Sequence, residues 1–116
     1  MSVLQKENII IDLTLEFAIE VVKYCDKLEE KRKYVIARQL LRSATSIGAS
    51  VREAQNTESK PDFIHKFKIA VKEAEETEYW LLICKNSNGY PNPDALMVKL
   101  KSIQKVINRI IATSKQ

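Results

Sequence analysis

The sequence predicts an all-α protein, an antiparallel four-helix bundle whose helices run up, down, up and down. Three observations predict it. Only two glycines and three prolines occur in 116 residues, so long segments are free of helix breakers. Apolar residues recur every three or four positions in four of these segments, as one buried helix face requires. The polar links between them are short, which is typical of antiparallel neighbours.

The four helices are expected within a single domain that covers residues 1–116. Their predicted spans are about 8–30, 34–56, 61–86 and 93–114. The predicted stripe of the first helix is Leu13, Phe17, Val21 and Leu28, with Ala18 and Cys25 beside it. This helix ends at the charged stretch EEKRK, residues 29–33, which is interpreted as a solvated link.

The second helix is unusual for its small residues, in the stretch LLRSATSIGASVREA over residues 40–54. A glycine inside a helix costs about 1 kcal/mol relative to alanine. Small side chains let helix backbones approach closely, which would offset that cost at Gly48. The predicted stripe is Ile36, Leu40, Ala44, Ile47, Val51 and Ala54. Ser43, Ser46 and Ser50 border it and are interpreted as packing or assembly contacts, not as nucleophiles.

The third helix is expected to begin at Pro61, since proline is accepted in a first turn, with Ser59 or Lys60 as its cap. Its main stripe is Phe63, Phe67, Ala70, Ala74, Thr77 and Leu81. A second apolar group, Ile69, Trp80 and Ile83, lies on another side of the helix. A monomeric surface helix needs only one buried side, so these three residues are the predicted oligomer interface.

The fourth helix has the stripe Leu96, Leu100, Ile103, Ile107, Ile110 and Ile111. Basic residues spaced by four lie on its opposite side. Together with two arginines of the second helix they are the candidate nucleic-acid contacts: Arg38, Arg42, Lys101, Lys105 and Arg109. The net charge of +4 and pI near 9.1 are moderate, so a merely solvated basic face is the alternative.

Enzyme and metal motifs are missing from the sequence: it has no glycine-rich phosphate loop, nucleophile elbow or paired-cysteine site. We therefore predict no catalytic residue, no metal site and no cofactor. The one dense acidic cluster is Glu73, Glu75, Glu76 and Glu78, which is interpreted as solvated or ion-paired. Glu78 lies at the edge of the stripe and is expected to reach an arginine or the serines of the second helix, or else water. Cys25 and Cys84 are interpreted as core thiols.

The first residues show no secretory signal, and no apolar run approaches the length of a membrane span. A cytoplasmic location without membrane contact is the resulting prediction.

Two stretches resemble a known family. QLLRSATSIGASVREA, residues 39–54, and DFIHKFKIAVKEAEETEYWLLIC, residues 62–84, are similar to the two central helices of the bacterial 23S rRNA intervening-sequence, or four-helix-bundle, proteins. This resemblance implies a homo-oligomer, typically a ring of five bundles. It also implies a relation to the accessory proteins of diversity-generating retroelements, which are similar pentamers that bind nucleic acid and a reverse transcriptase. Ala54 stands where many members have glycine, and Ser50 where many have asparagine.

Three functions follow as hypotheses. The first is a non-enzymatic, self-assembling bundle, a homopentamer by the resemblance, that binds RNA or a nucleic-acid-associated protein through its basic surface. The second is a protein-binding adaptor or scaffold without direct nucleic-acid contact. The third, least favoured, is an enzyme built on the acidic cluster.

Overall fold

Four long α-helices make up the computed structural model, which describes residues 3–116 and, from residue 9 onwards, their side chains. Within that range there is no strand. The helices are α1 (Val3–Glu30), α2 (Tyr34–Ala54), α3 (Lys60–Lys85) and α4 (Asp94–Ser114). The predicted all-α four-helix bundle is confirmed.

The helix ends depart from the expected ones by a few residues, for local reasons. α1 begins at Val3, five residues early, because no glycine or proline precedes residue 8. α2 ends at Ala54, since the next two amides bond to carbonyls only three residues back and tighten the chain into a turn. Ser59 caps α3: its hydroxyl accepts from the Asp62 amide at 3.2 Å, and Pro61 lies in the first turn.

Each helix packs against two neighbours. α1 and α3 both contact α2 and α4, whereas α1 lies diagonally across from α3, and α2 from α4. The ammonium of Lys60, at the start of α3, donates to the main-chain oxygen of Gln116, just after the end of α4, at 3.2 Å. An ion pair between Glu20 and Lys99 joins α1 to α4. These contacts are consistent with the antiparallel order that the short links predict.

The core consists of the predicted stripes, with a few differences at their edges. On α4, Leu96, Leu100, Ile103, Ile107 and Ile110 are buried. Ile36 and Phe63, which begin the predicted stripes of α2 and α3, are only half-buried because they lie near the ends of the bundle. α1 adds a buried Thr14, whose hydroxyl donates to the main-chain oxygen of Ile10 at 2.7 Å.

The small residues of α2 accommodate polar groups of both neighbouring helices. A methyl group built on Gly48 would lie 3.4 Å from the Cβ and Oγ1 atoms of Thr14, so α1 and α2 approach closely there. On the other side, Ser43 is fully buried and accepts a hydrogen bond from the Thr77 hydroxyl of α3 at 2.9 Å. The crowding of small residues is thus a packing feature of two helix contacts.

Candidate nucleic-acid interface

The outer face of α4 carries a basic row formed by Lys101, Lys105 and Arg109. Each step of four residues along a helix advances about 6 Å and turns it by little more than one full turn, so the three side chains share one face. All three are exposed. Among the side chains that the structure describes, none of the three forms an ion pair. None of the three is within ion-pair distance of a described carboxylate, although Glu75 and Glu78 of α3 line a groove together with Lys101 and Lys105.

The two candidate arginines of α2 differ from this row. Arg38 is exposed and forms no ion pair with any described side chain. Arg42 pairs with two carboxylates of α3, Glu73 at 3.4 Å and Glu76. The hydrogen bond to Glu76 raises the pKa of Arg42. The pKa of Glu76 is lowered by the Trp80 indole N–H, which donates to it at 3.0 Å, and by Arg42.

The structure does not bring the two groups of candidate residues together. α2 and α4 are diagonal helices, so their outer faces point to opposite sides of the bundle. Lys101, Lys105 and Arg109 form one surface, and Arg38 and Arg42 belong to another. A single strand of nucleic acid lying on the α4 face of one chain would not reach the α2 arginines of that chain.

A further group of cations lies where α3 begins and α4 ends. Lys60, His65 and Lys68 of α3 and Lys115 line one open cavity of about 440 Å³, together with Pro61 and Ile64. Sequence reasoning missed this group, because its members are up to 55 positions apart. A signal did exist: antiparallel order places the first turn of α3 beside the last turn of α4.

The predicted oligomer interface is partly covered within the chain. Ile69, Trp80 and Ile83 are all half-buried, and Trp80 packs against the core. Its indole N–H bonds to Glu76 on its own helix. Neighbouring Tyr79 is 60% exposed, so α3 still presents apolar surface outward.

A second apolar surface, on α1, was missed by the sequence reasoning. Leu15, Ile19 and Val22 are 46%, 49% and 44% exposed. Their spacing of four and three residues places them on one helix face, and that spacing is visible in the sequence. α1 and α3 do not contact each other, so the two apolar surfaces are separate.

The acidic cluster of α3 is divided between two neighbours. Glu73 and Glu76 face α2 and pair with Arg42, as the ion-paired interpretation expected. Of the two environments expected for Glu78, contact with an arginine or the α2 serines was wrong. The alternative was a position at the margin of the stripe, reaching water, and Glu78 is half-buried. It accepts from the Gln104 amide of α4 at 3.5 Å, because it lies on the opposite side of α3.

Within the described residues no group of three or more His, Cys, Asp or Glu side chains is arranged to hold a metal ion. Of the helices that the structure describes, none is long and apolar enough to cross a membrane.

The thiols and one phenol lie buried near the α3–α4 link. Burial raises the pKa of Cys25 to about 12 and also raises the pKa of Cys84. The Tyr24 hydroxyl donates to the main-chain oxygen of Pro91 at 2.6 Å, and burial raises the pKa of Tyr24. A thiol that is protonated and buried is a poor nucleophile. The two thiols therefore act as core residues, and Cys25 Sγ donates to the main-chain oxygen of Ala37 in α2 at 3.4 Å. Of the three groups only Tyr24, through its hydrogen bond, holds the α3–α4 link against α1.

The fold and the surface together define a class of protein: a four-helix bundle whose last helix carries a basic row without ion pairs to any described side chain. The sequence model of the 23S rRNA-intervening sequence protein matches residues 6–110, and the chain belongs to that family. The predicted resemblance is confirmed. The relation to retroelement accessory proteins stays a prediction.

A solved structure shows the same fold. It is the crystal structure of a protein with unknown function from the S23 ribosomal protein family of Bacteroides thetaiotaomicron VPI-5482. The two sequences are 39% identical, and the match covers 92% of this chain and 98% of that chain with a TM-score of 0.86. None of the proteins with curated descriptions matches the sequence.

Proposed function

We propose that this protein is a non-enzymatic, cytoplasmic homo-oligomer that binds RNA, or a nucleoprotein through its RNA, with the basic row of α4. The observation that carries the proposal is the row itself: three exposed cations at four-residue steps with no carboxylate partner among the described side chains. Exposed cations that neutralise phosphates release counterions, and this term supplies most sequence-independent affinity. The row fits that kind of binding.

Backbone contact is favoured over reading of bases. Sequence-specific recognition of RNA relies largely on aromatic side chains that stack on unpaired bases. The outward residues around the row, such as Val98, Ser102 and Asn108, are not aromatic. The exposed tyrosines lie on α2 and α3. We therefore expect binding that depends strongly on salt and weakly on sequence.

Self-association is the second part of the proposal. The apolar surfaces of α1 and α3 are separate, so a head-to-tail contact would bury one surface of each type at every interface. Repeated contacts of this kind close into a ring when the rotation between copies permits. A ring of five, as the family resemblance implies, would present five basic rows to one polyanion. Such multivalency raises the overall affinity without any new contact.

The test of RNA binding is a charge-reversal variant, Lys101→Glu, Lys105→Glu and Arg109→Glu. Its matched control is Lys23→Glu, Lys27→Glu and Lys31→Glu, which changes the net charge equally at exposed sites elsewhere. Fluorescence anisotropy with a labelled RNA at low salt should show an affinity loss on the order of a hundredfold for the first variant and far less for the control. Equal losses, or no binding by the unaltered protein, would refute RNA binding through the row.

Self-association is tested separately by light scattering at micromolar concentration. Ile19→Glu places a charge on the α1 surface, and Val98→Glu places the same charge at an exposed aliphatic site on α4. We expect the first variant to be smaller than the unaltered protein and the second to keep its size. A monomeric unaltered protein would contradict the assembly.

The alternative function is a protein-binding adaptor or scaffold. The exposed aliphatic residues Leu15, Ile19 and Val22 favour it, because such a surface suits a protein partner better than RNA. A pull-down that yields one stoichiometric protein, with the same result after nuclease treatment, would favour the adaptor over RNA binding.

A further inference from the structure

The cavity between the start of α3 and the end of α4 is lined by cations from two chain segments. Lys60, Ile64 and Lys68 share one face of α3 because they are four residues apart. His65 and Pro61 flank that face, and Lys115 enters from the end of α4. The antiparallel order of the helices thus concentrates three ammonium groups and one imidazole around a single opening.

No acidic side chain lines this cavity among the described residues. The groove farther along the same two helices differs, since Glu75 and Glu78 lie there beside Lys101 and Lys105. Of the lysines around the cavity, Lys68 and Lys115 form no ion pair with a described side chain, whereas Lys60 is partly engaged. Lys60 donates to the main-chain oxygen of Gln116, and a lysine ammonium has two further protons to donate.

A neighbouring lysine differs from those of the cavity because it forms an ion pair. Lys66 points the other way and pairs with Glu53 of α2 at 2.9 Å. Lys60, Lys68 and Lys115 form no such pair with any side chain that the structure describes. Like charges held close together repel, and a bound anion relieves that repulsion.

The remaining lining is apolar. Pro61 and Ile64 contribute carbon surface to this open cavity of about 440 Å³, five of whose six lining residues are exposed. This is much more room than an inorganic anion needs. A ligand that combines a doubly charged anionic group with a flat organic group fits both parts of the lining.

We propose that this cavity binds a phosphate monoester carried on a nucleoside, either as a free nucleotide or as the phosphorylated end of an RNA strand. The lysines hold the phosphate, and the base or ribose packs on Pro61 and Ile64. The site goes beyond the proposed RNA contact of α4 and does not depend on it, because none of its residues belongs to the basic row.

The experiment follows the backbone amides of the full chain by two-dimensional NMR, with uridine 5′-monophosphate and uridine as probes at equal ionic strength. The monophosphate should shift the amides of residues 60, 62–68 and 113–116, and uridine should not. The variant Lys60→Gln, Lys68→Gln and Lys115→Gln should bind at least about tenfold more weakly, since it loses three charged donors. The control Lys23→Gln, Lys27→Gln and Lys31→Gln should keep the response.

Two results would overturn the site: no shift with the monophosphate at millimolar concentration, or an undiminished response in the variant. The charge reversal at Lys101, Lys105 and Arg109 should leave the monophosphate response intact. The experiment can therefore refute this site without refuting the RNA contact of α4, and the reverse also holds. RNA with a 5′-phosphate is then compared with the same RNA ending in a 5′-hydroxyl. Tighter binding of the phosphorylated strand identifies the strand end as the ligand, and equal affinity alongside monophosphate binding identifies the free nucleotide.

Discussion

The α2–α3 contact and the outer face of α4 use similar side chains for different purposes. Arg38 and Arg42 are spaced by four residues, as are Lys101 and Lys105. Arg42 nevertheless pairs with the carboxylates of Glu73 and Glu76, whereas the α4 cations face solvent. Whether cations spaced by four residues stay free of ion pairs therefore depends on the side chains of the adjacent helix, and not on the spacing itself.

The largest effect is expected from the buried hydroxyls of the α2–α3 contact. Thr77→Val keeps the shape of the side chain but removes the group that donates to Ser43. Ser43 then keeps only its bond to the main-chain oxygen of Leu40 at 3.3 Å. An unsatisfied buried hydroxyl costs about 1–3 kcal/mol, so this partial loss should lower the free energy of unfolding, measured by urea denaturation, by about 1–2 kcal/mol.

The double variant Ser43→Ala with Thr77→Val tests the cause of that loss. Because both polar groups are then removed, most of the lost stability should return. Losses that simply add would mean that the hydrogen bond between the two hydroxyls contributes little. In that case the α2–α3 contact would be held by apolar packing alone.

The second prediction removes the ion pairs that distinguish Arg42 from the cations of α4. Glu73→Gln with Glu76→Gln removes the carboxylates that hold Arg42 and leaves an amide oxygen for the Trp80 indole. Arg42 then becomes a free cation beside Arg38, so at low salt the affinity for an RNA long enough to extend from the α4 face round to the α2 face should rise by roughly threefold to tenfold. The slope of log affinity against log salt should steepen by somewhat less than one unit, as for one added phosphate contact.

Charge alone would also raise the affinity, so a matched control is required. Asp12→Asn with Glu16→Gln removes two exposed negative charges from α1. We expect this control to change the affinity less and to leave the salt slope unchanged. Equal gains in both variants would show that net charge, and not the release of Arg42, accounts for the effect.

The sequence was sufficient for the fold because each helix buries one stripe. Leu100, Ile103 and Ile107 are buried as their spacing predicts, and the fold class follows from four such stripes. The partners of polar side chains were not predictable in the same way. Glu78 bonds to Gln104 because of the rotation of α3 relative to α4, and nothing in the local sequence encodes that rotation.

The candidate sites were predictable to different degrees for the same reason. The α4 row is a property of one helix and could be read directly from the sequence. The cavity around Lys60 and Lys115 exists only because two helix ends meet in the folded chain. The α1 surface of Leu15, Ile19 and Val22 was visible as a second stripe, but the stronger buried stripe on that helix obscured it.

The smallest predicted effect concerns the acid sensitivity of the α2–α3 contact. The pKa of Glu76 is lowered in the folded protein, first by the Trp80 indole and also by Arg42. A carboxyl group with a lowered folded pKa stabilises the protein above its unfolded pKa, which is about 4.3 for glutamate. That stabilisation is lost as the pH falls through the lower, folded pKa.

We therefore expect the free energy of unfolding of the unaltered protein to fall more steeply below pH ~4 than that of Glu76→Gln, when both are measured by urea denaturation. The difference should be small, because solvent screens a half-exposed pair. It should also shrink at high salt, where the attraction to Arg42 weakens while the indole hydrogen bond persists. A difference that does not change with salt would mean that the Trp80 hydrogen bond alone causes the acid response. The ion pair with Arg42 would then contribute nothing to it, and Arg42 would resemble the cations of the α4 row.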